Sequence, residues 1–421
     1  MSLELITNIN SAILFLFCAL SAYQYIYIIV SVLFRPCRYE NRAGHHNRYA
    51  VLICARNEEA VIGQLIDSIK KQDYPAELLD IYVLADNCHD NTKGVATGAG
   101  AVVYERQNDK QVGKGYALNH LLHIICAEKG DEYYNAYFVF DADNLLAGDY
   151  VSQMDRVFSN GYRVVTSYRN SKNFCRSWVS AGYGVLFLRE ARHMNNARMI
   201  LHSSCAISGT GFMVHRDIIN EKGGWPYHTL TEDIEFTVER IISGEKIGYC
   251  HDAVFYDEQP ITFRQSCRQR LRWAKGCLQV VMKYGARMVL GIFRKKSGFS
   301  CFDEIMTTLP SLILPLFAVV SLGSMVYSAF LYVEGGFVRF LAAFGGYLLG
   351  VYGINFFLGL ITTITEWKKI AGPAYKKIFY VFTYPIFMIS NVPLVLLSLF
   401  MKVGWKEVKH SDARGIDQIG A

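Results

Sequence analysis

Apolar and polar positions divide the 421-residue chain into membrane-like and soluble-like stretches. The first apolar run extends from Ser11 to Phe34. At about 1.5 Å per residue it is long enough to cross a hydrocarbon core of about 30 Å. The charged residue before it is Glu4, whereas Arg35, Arg38, Arg42 and Arg48 follow it. Basic residues collect on the cytoplasmic side of a span, so the chain beyond Arg35 is expected in the cytoplasm. Three more runs, Leu309–Val333, Phe340–Ile364 and Ile378–Met401, are each long enough to span. The mixed basic and apolar segment Met288–Phe302 before them suits the interface plane. The loop from Lys368 and Lys369 to Lys376 and Lys377 is expected inside, and so is a tail carrying Lys402, Lys406, Lys409 and Arg414. Both placements hold together when the last run, which contains Pro385 and Pro393, is broken or re-entrant.

Between these runs, from Tyr49 to Gly285, short apolar runs alternate with helical patterns. Tyr49–Cys54, Asp80–Ala85 and Tyr137–Phe140 read as buried strands, and Glu59–Lys71 as a helix with Val61, Ile62, Leu65 and Ile69 on one face. Continuous apolar strands separated by helices predict an α/β fold with a mainly parallel sheet covered on both faces. Ligands of such sheets bind beyond the carboxyl ends of the strands. The expected units are an N-terminal transmembrane helix over 1–35, a cytoplasmic domain over 48–285, an interfacial segment over 286–304, a membrane region over 305–402 and a tail over 403–421.

Composition agrees with this division. Charged residues make up 19% of the chain, below the roughly 25% usual in soluble proteins. The net charge of +6 shows no basic stripe apart from the membrane edges, so no nucleic-acid partner is expected; an anionic leaflet or an anionic nucleotide-sugar accounts for it. The 11 cysteines form no Cys-x-x-Cys pair and read as small apolar residues in a reducing compartment.

Acidic residues stand at the predicted strand ends. Asp141-Ala142-Asp143 follows the strand ending at Phe140, and two carboxylates so spaced can converge on one hard cation that bridges nucleotide phosphates. A solvated turn would use the same residues. Asp86, Asn87 and Asp90 suit either contact with a nucleoside or an Asx turn. Asn57 and Glu58 are similarly placed after the first strand. Gly113-Lys114-Gly115 opens a helix, where flexible backbone and a lysine suit an anion. Thr231-Glu232-Asp233 opens another, as an N-cap with acids on the helix dipole or as the source of a general base. Gln269-Arg270-Leu271-Arg272-Trp273 offers guanidinium groups for a diphosphate and an indole for a sugar ring, or equally a basic interfacial helix.

In this order the motifs resemble those of the membrane-bound family-2 glycosyltransferases, the group of hyaluronan, chitin-oligosaccharide, poly-N-acetylglucosamine and cellulose synthases. Asp86 matches the second acid of the family's Asp-Asp pair, Asp141 and Asp143 its Asp-x-Asp, Thr231-Glu232-Asp233 its Thr-Glu-Asp, and Gln269 to Trp273 its Gln-x-x-Arg-Trp. Gly113-Lys114 and Ser208-Gly209-Thr210-Gly211 are similar to its donor lysine and acceptor loop. The resemblance covers Tyr49 to Gly276. It implies a GT-A type domain flanked by transmembrane helices at both ends, in a multi-pass protein of the cell membrane with its catalytic domain in the cytoplasm. By it, Asp143 and Asp141 would hold Mg2+ or Mn2+, and Glu58, Asp86, Lys114 and Arg272 would join them in binding a UDP-sugar. Asp233 would act as base beside Glu232. Gly209, Thr210, Gly211, Gln269 and Trp273 would hold the acceptor. The implied reaction is inverting transfer, with UDP-N-acetylglucosamine as the first expected donor and a growing β-linked polysaccharide as the first expected acceptor. The alternative is a single addition to a membrane lipid, and the implied partners are a carbohydrate or lipid-linked acceptor, membrane lipid and an accessory export or homo-oligomer partner. The chain departs from the family at Ala85, where the first acid of the pair would stand. The segment Gly404-Trp405-Lys406 is similar to a tryptophan segment that closes over the site in some relatives.

Overall fold

The computed structural model describes all residues except 1–10, 13, 14, 17, 18, 21, 41–45, 332–335, 406, 407, 420 and 421. Glu4, Arg42, Val333 and Lys406 therefore lie outside the described residues. Eight strands form one sheet in the order β3-β2-β1-β4-β7-β6-β8-β5. They are β1 (Tyr49–Ala55), β2 (Leu79–Asp86), β3 (Val102–Arg106), β4 (Ala136–Asp141), β5 (Leu145–Leu146), β6 (Val164–Ser171), β7 (Phe212–His215) and β8 (Ile247–Asp257). The half from β3 to β4 is parallel, as the apolar runs predict. Beyond β4 the sheet is mixed. β7 runs antiparallel to both β4 and β6, β6 and β8 are parallel, and β5 pairs antiparallel with β8. The expectation of a mainly parallel sheet therefore fails in the second half. There the strands read less clearly: β7 has only four residues, and β8 alternates buried and half-buried positions.

The helices are α1 (Tyr23–Leu33), α2 (Ile62–Lys70), α3 (Thr92–Gly98), α4 (Lys114–Lys129), α5 (Tyr150–Ser159), α6 (Trp178–Arg189), α7 (Asn196–Ile200), α8 (Arg216–Lys222), α9 (Glu232–Ser243), α10 (Phe263–Gly291), α11 (Gly298–Leu331), α12 (Gly336–Thr365), α13 (Ala374–Ile389) and α14 (Asn391–Phe400). In α2 the predicted face buries Ile62, Leu65, Ile66 and Ile69 against the sheet. Each such side chain withdrawn from water contributes about 1.5–3 kcal/mol. A π-helical turn, Glu190–Asn195, joins α6 to α7.

Two stretches among the described residues are long and apolar enough to cross a membrane: Phe344–Thr365 within α12, and Ala374–Phe400 across α13 and α14. This is fewer than the sequence pattern suggests. At the N-terminus the described helix α1 has 11 residues. Helix α11 carries Asp303 and Glu304, both buried, in its second turn. The segment Met288–Phe302 comprises the end of α10, a turn and the start of α11, with Met288 and Cys301 buried. The last run is nearly continuous, interrupted at Ser390. At that point Arg270 donates to the carbonyl of Phe387 at 2.9 Å and to Ser390 Oγ at 3.0 Å, and its guanidinium lies 4.4 Å from the Phe387 ring centroid.

Buried polar contacts fasten these helices to the sheet domain. Arg198 of α7 pairs with Asp303 of α11 at 2.7 and 3.2 Å, both side chains being 2% exposed. Tyr23 and Tyr27 of α1 donate to the same carboxylate at 2.6 and 3.0 Å. The π-turn residue His193 links Ser31 of α1 (2.7 Å) to Thr365 at the end of α12 (3.1 Å). Glu366 accepts from Tyr168 of β6 and pairs with Arg192 at 3.3 Å. Removing one partner of a buried ion pair leaves the other charge uncompensated, at about 3–5 kcal/mol. Asp303→Asn is therefore expected to lower the unfolding temperature of the purified protein sharply. Replacing both partners with apolar residues (Arg198→Met with Asp303→Leu) is expected to lower it less.

Candidate active site

The strand register assembles the site. Cys54 of β1 pairs with Asp141 of β4, Ala55 pairs with Ala85 of β2, and Asp86 pairs with Arg106 of β3. Neighbouring strands lie about 4.8 Å apart, so Glu58, Asp86 and Asp141 arrive at one edge. A cleft of about 670 Å³ opens there, within the range of small-molecule sites. Its lining includes Glu58, Asp86, Lys114, Asp141, Asp143, Gly209, Glu232, Asp233, Gln269, Arg272 and Trp273. Of the expected site residues, Thr210 and Gly211 stand behind the wall instead. The hydroxyl of Thr210, 2% exposed, accepts from the Asp141 N–H at 2.9 Å and donates to Asn144 at 2.5 Å, which fixes the Asp-Ala-Asp turn. Gly211 has φ +66°, and a Cβ there would stand 2.2 Å from Phe255.

At the donor end, Asp86 is buried against Arg106, 2.6 Å away. Burial raises the Asp86 carboxyl and Arg106 pulls it back. Arg106 also donates to the carbonyl of Gln111 at 2.8 Å, which shapes the loop leading to Gly113. Lys114, the first residue of α4, pairs with Asp141 and donates to the carbonyl of Gly209 at 2.7 Å. Gly115 lets that helix approach closely, since a Cβ would stand 2.0 Å from the Tyr227 carbonyl oxygen. Two non-glycine residues with positive φ, Asn57 and Asn87, turn the chain at the ends of β1 and β2. Asn is among the residues that tolerate this conformation.

Asp143 is 4% exposed. Burial alone would raise its carboxyl, but His410, Lys172, the N–H of Glu258 at 2.7 Å and Arg169 hold it below the usual range. Nearby, Asp257 is 3% exposed, and its Oδ1 has no hydrogen-bond partner among the described residues. Oxygen donors of this kind suit a hard divalent cation, which needs one or two carboxylates when substrate phosphates complete its shell. Among the described residues no cluster of three His, Cys, Asp or Glu forms an all-protein cage, so the donor set fits a cation shared with a phosphate.

The tail returns over this end. His410 contacts Glu58 at 2.9 and 3.0 Å. Burial opposes its charge, yet Asp143, Glu58 and Glu258 raise it to about 10. Burial moves Glu58 the other way, up to about 7, against the pull of His410. The Glu258 carboxylate accepts the N–H groups of Ser411 and Asp412, and Arg56 stacks 5.0 Å from the Trp405 ring centroid. His410, Arg106, Arg169, Lys172 and Glu258 carry no local motif, and the sequence alone does not point to them.

At the other end, Glu232 and Asp233 open α9. Thr231 occupies the N-cap position, but its side chain makes no capping bond. It packs against Gly276 of α10, where a Cβ would be 2.5 Å from its Oγ1. Burial raises both acids, Glu232 to about 7 with the charge of Asp233 adding to the rise, while Lys114 and Arg272 oppose it. Arg272 is held by the carbonyl of Leu230 at 2.9 Å. The ring of Trp273 packs edge-on against Tyr183 and Phe187.

This geometry offers carboxylates for a cation, a lysine for an anion, a buried acid pair for proton transfer and an aromatic wall. Comparison with known proteins shows the same class. A family model described as "Glycosyltransferase like family 2" matches residues 46–276, more than half of the chain. The chain belongs to glycosyltransferase family 2. It is therefore a glycosyltransferase with a GT-A-like α/β fold and a mixed sheet. Its relatives include the probable glycosyltransferase YdaM of Bacillus subtilis (strain 168), 28% identical over 278 residues that cover 61% of each chain. Another is the beta-monoglucosyldiacylglycerol synthase of Synechocystis sp. (strain ATCC 27184 / PCC 6803 / Kazusa), 26% identical over 249 residues, 56% of this chain and 48% of the relative. The chain thus matches about half to three fifths of the length of these relatives. Among solved structures, the mannosyltransferase PcManGT from Pyrobaculum calidifontis in complex with GDP-Man and Mn2+ superposes with a TM-score of 0.60 at 15% identity, over 95% of this chain and 99% of that one. This similarity supports the fold.

A carboxylate that served as base would have to be ionised, and burial pushes both acids above their ordinary range. Transfer is therefore expected to rise with pH along a limb that belongs to the Glu232–Asp233 pair, above the pH where an isolated Asp ionises. Glu232→Gln removes the competing carboxyl, so that limb should shift to lower pH in a rate profile at saturating substrates.

Proposed function

We propose that this glycosyltransferase moves a sugar, with inversion at the anomeric carbon, from a nucleotide-diphosphate sugar to a hydroxyl of a lipid-anchored acceptor at the cytoplasmic face of the cell membrane. One observation carries the lipid reading. The cleft that holds Asp141, Asp143 and Asp233 continues to Gln24 on α1, Met306 on α11 and Met388 on α13. These helices expose large apolar side chains, among them Ile26, Ile29, Phe299, Phe382 and Ile386. A lipid headgroup held at the mouth of such a cleft keeps its chains in the bilayer. The relatives named as beta-monoglucosyldiacylglycerol synthases point the same way. A polysaccharide acceptor, the first expectation from the sequence, is favoured by relatives named as probable glucomannan 4-beta-mannosyltransferases, which match over a shorter stretch, 71 residues in one case.

In the reaction, the acceptor oxygen forms a bond to the anomeric carbon as the bond from that carbon to the diphosphate oxygen breaks. The diphosphate leaves with the electron pair, and the acceptor proton passes to Asp233. Glu232 and Arg272 flank that acid. Lys114 stands where the diphosphate charge develops, and the adjoining helix start presents free N–H groups to it. Asp143 and Asp141 would hold Mg2+ or Mn2+, which when bound neutralises the leaving diphosphate. Trp273 offers a face to a sugar ring. UDP-N-acetylglucosamine is the first donor to test, followed by UDP-glucose, UDP-galactose and UDP-glucuronate.

Asp233→Asn is expected to lower transfer by about 100-fold or more, measured with radiolabelled donor in membranes containing the protein. Full activity in that variant would remove Asp233 as the base. Chelation with EDTA should abolish transfer, and added Mn2+ or Mg2+ should restore it. Activity that survives chelation would show that Asp141 and Asp143 act without a cation. The labelled product is expected to extract into organic solvent as a single lipid species, and a ladder of water-soluble chains would overturn the lipid reading.

A further inference from the structure

Beyond Asp233 the cleft has a deep limb to which the reaction above gives no role. Its wall includes Glu190 from the π-helical turn, Arg198 from α7 and Glu304 from α11. Single π turns recur at functional sites because they push one side chain out of helical register. The loop at 208–211 sets the distance from this limb to the reacting end. Ser208 Oγ donates to Glu190 at 3.5 Å. A Cβ on the next residue, Gly209, would lie 3.5 Å from Asp233 Oδ2, and the Gly209 carbonyl accepts from Lys114. Consecutive Cα atoms are about 3.8 Å apart, so Asp233 and Glu190 flank one short turn. That separation suits two neighbouring hydroxyls of one sugar ring or polyol.

The charges in the limb select the headgroup. Arg198 is spent on Asp303. Neither Glu190 nor Glu304 forms an ion pair among the described residues, although Glu304 is 5% exposed; it accepts one hydrogen bond, from Thr308 at 3.1 Å. Burial raises both carboxyls, and Glu190 adds to the rise at Glu304. One further acceptor on a residue of the cleft wall has no partner among the described residues, Oε1 of Gln269. Buried acceptors of this kind call for hydrogen-bond donors. Hydroxyls supply them, whereas a phosphate would bring like charge next to two carboxylates. The cleft also holds Arg189, the side chain to which a phosphate would turn, so a phosphate lipid belongs in the test.

We infer that Glu190 and Glu304 form an acceptor-headgroup subsite for an uncharged sugar or polyol with at least two hydroxyls, one losing its proton to Asp233 and its neighbour donating to Glu190. This rests on the transferase reading above. The test uses the full-length protein in lipid–detergent micelles, a radiolabelled nucleotide-sugar, and three acceptors: an alkyl glucoside, a diacylglycerol with one hydroxyl, and a polyprenyl phosphate. The alkyl glucoside is expected to be the best acceptor. Glu190→Gln and Glu304→Gln should each raise its KM by about ten-fold or more while the donor KM stays in place, since a hydrogen bond to a charged group is worth about that much. Ser208→Ala, which removes only the hydroxyl beside Glu190, should act in the same direction and more weakly. Preference for the diacylglycerol or the polyprenyl phosphate would overturn the inference. So would unchanged acceptor KM in both Glu variants; with transfer still abolished by Asp233→Asn, that result would leave the transferase reading intact. If Asp233→Asn kept full transfer, the base assignment and the subsite built upon it would both fail.

Discussion

Like-charged carboxylates crowded into one poorly hydrated cleft are the constraint around which this molecule is arranged. An ionised group out of water is costly unless a partner answers it. The parallel register of β2, β1 and β4 delivers Asp86, Asp141 and Asp143 to the same edge, and α9 brings Glu232 and Asp233 to face them. The chain answers each acid differently. Asp86 receives Arg106, Asp141 receives Lys114, Asp257 receives Arg169, and Glu58 receives His410. Neither acid of the pair at the start of α9 has a cation at hydrogen-bond distance among the described residues, and the same holds for Asp143, Glu190 and Glu304.

Much of this was legible in the sequence, for physical reasons. Strands β1, β2 and β4 are buried on both faces, so their apolar runs are unbroken and their ends are marked by the first polar residues, Asp86 and Asp141 among them. The helix starts at Lys114 and Glu232 likewise follow from glycine and acidic patterning. The second half of the sheet was not legible. β5 has two residues and β7 four, too few to show a period, and the reversal of β7 follows from packing across the sheet. The roles of Thr231 and Thr210 were misread for a related reason. A hydroxyl at a helix start predicts a cap and one in a glycine loop predicts a ligand, but Thr231 turns toward Gly276 and Thr210 toward the Asp141 turn.

Long-range partners were the least accessible. His410 reaches Glu58 across 352 positions, and Asp303 meets Arg198 across 105. Neither His nor Asp stands in a pattern that announces its partner. The membrane-like runs posed a different difficulty, because apolar length alone does not separate a span from a helix that packs on a domain. Helix α11 carries two buried acids in its second turn, and its first turns serve as part of the wall of the cleft and as the anchor of α1.

Arg270 and Arg272 of helix α10 stand two positions apart, which a helical turn points to opposite sides. Arg272 faces the acid pair, and Arg270 grips the interruption in the last apolar helix at Ser390. One helix thus touches both the last apolar helix and the cleft. A change in the tilt of α13 would therefore pull first on Arg270 and, through the same turn of helix, on Gln269 and Trp273, both of which line the cleft.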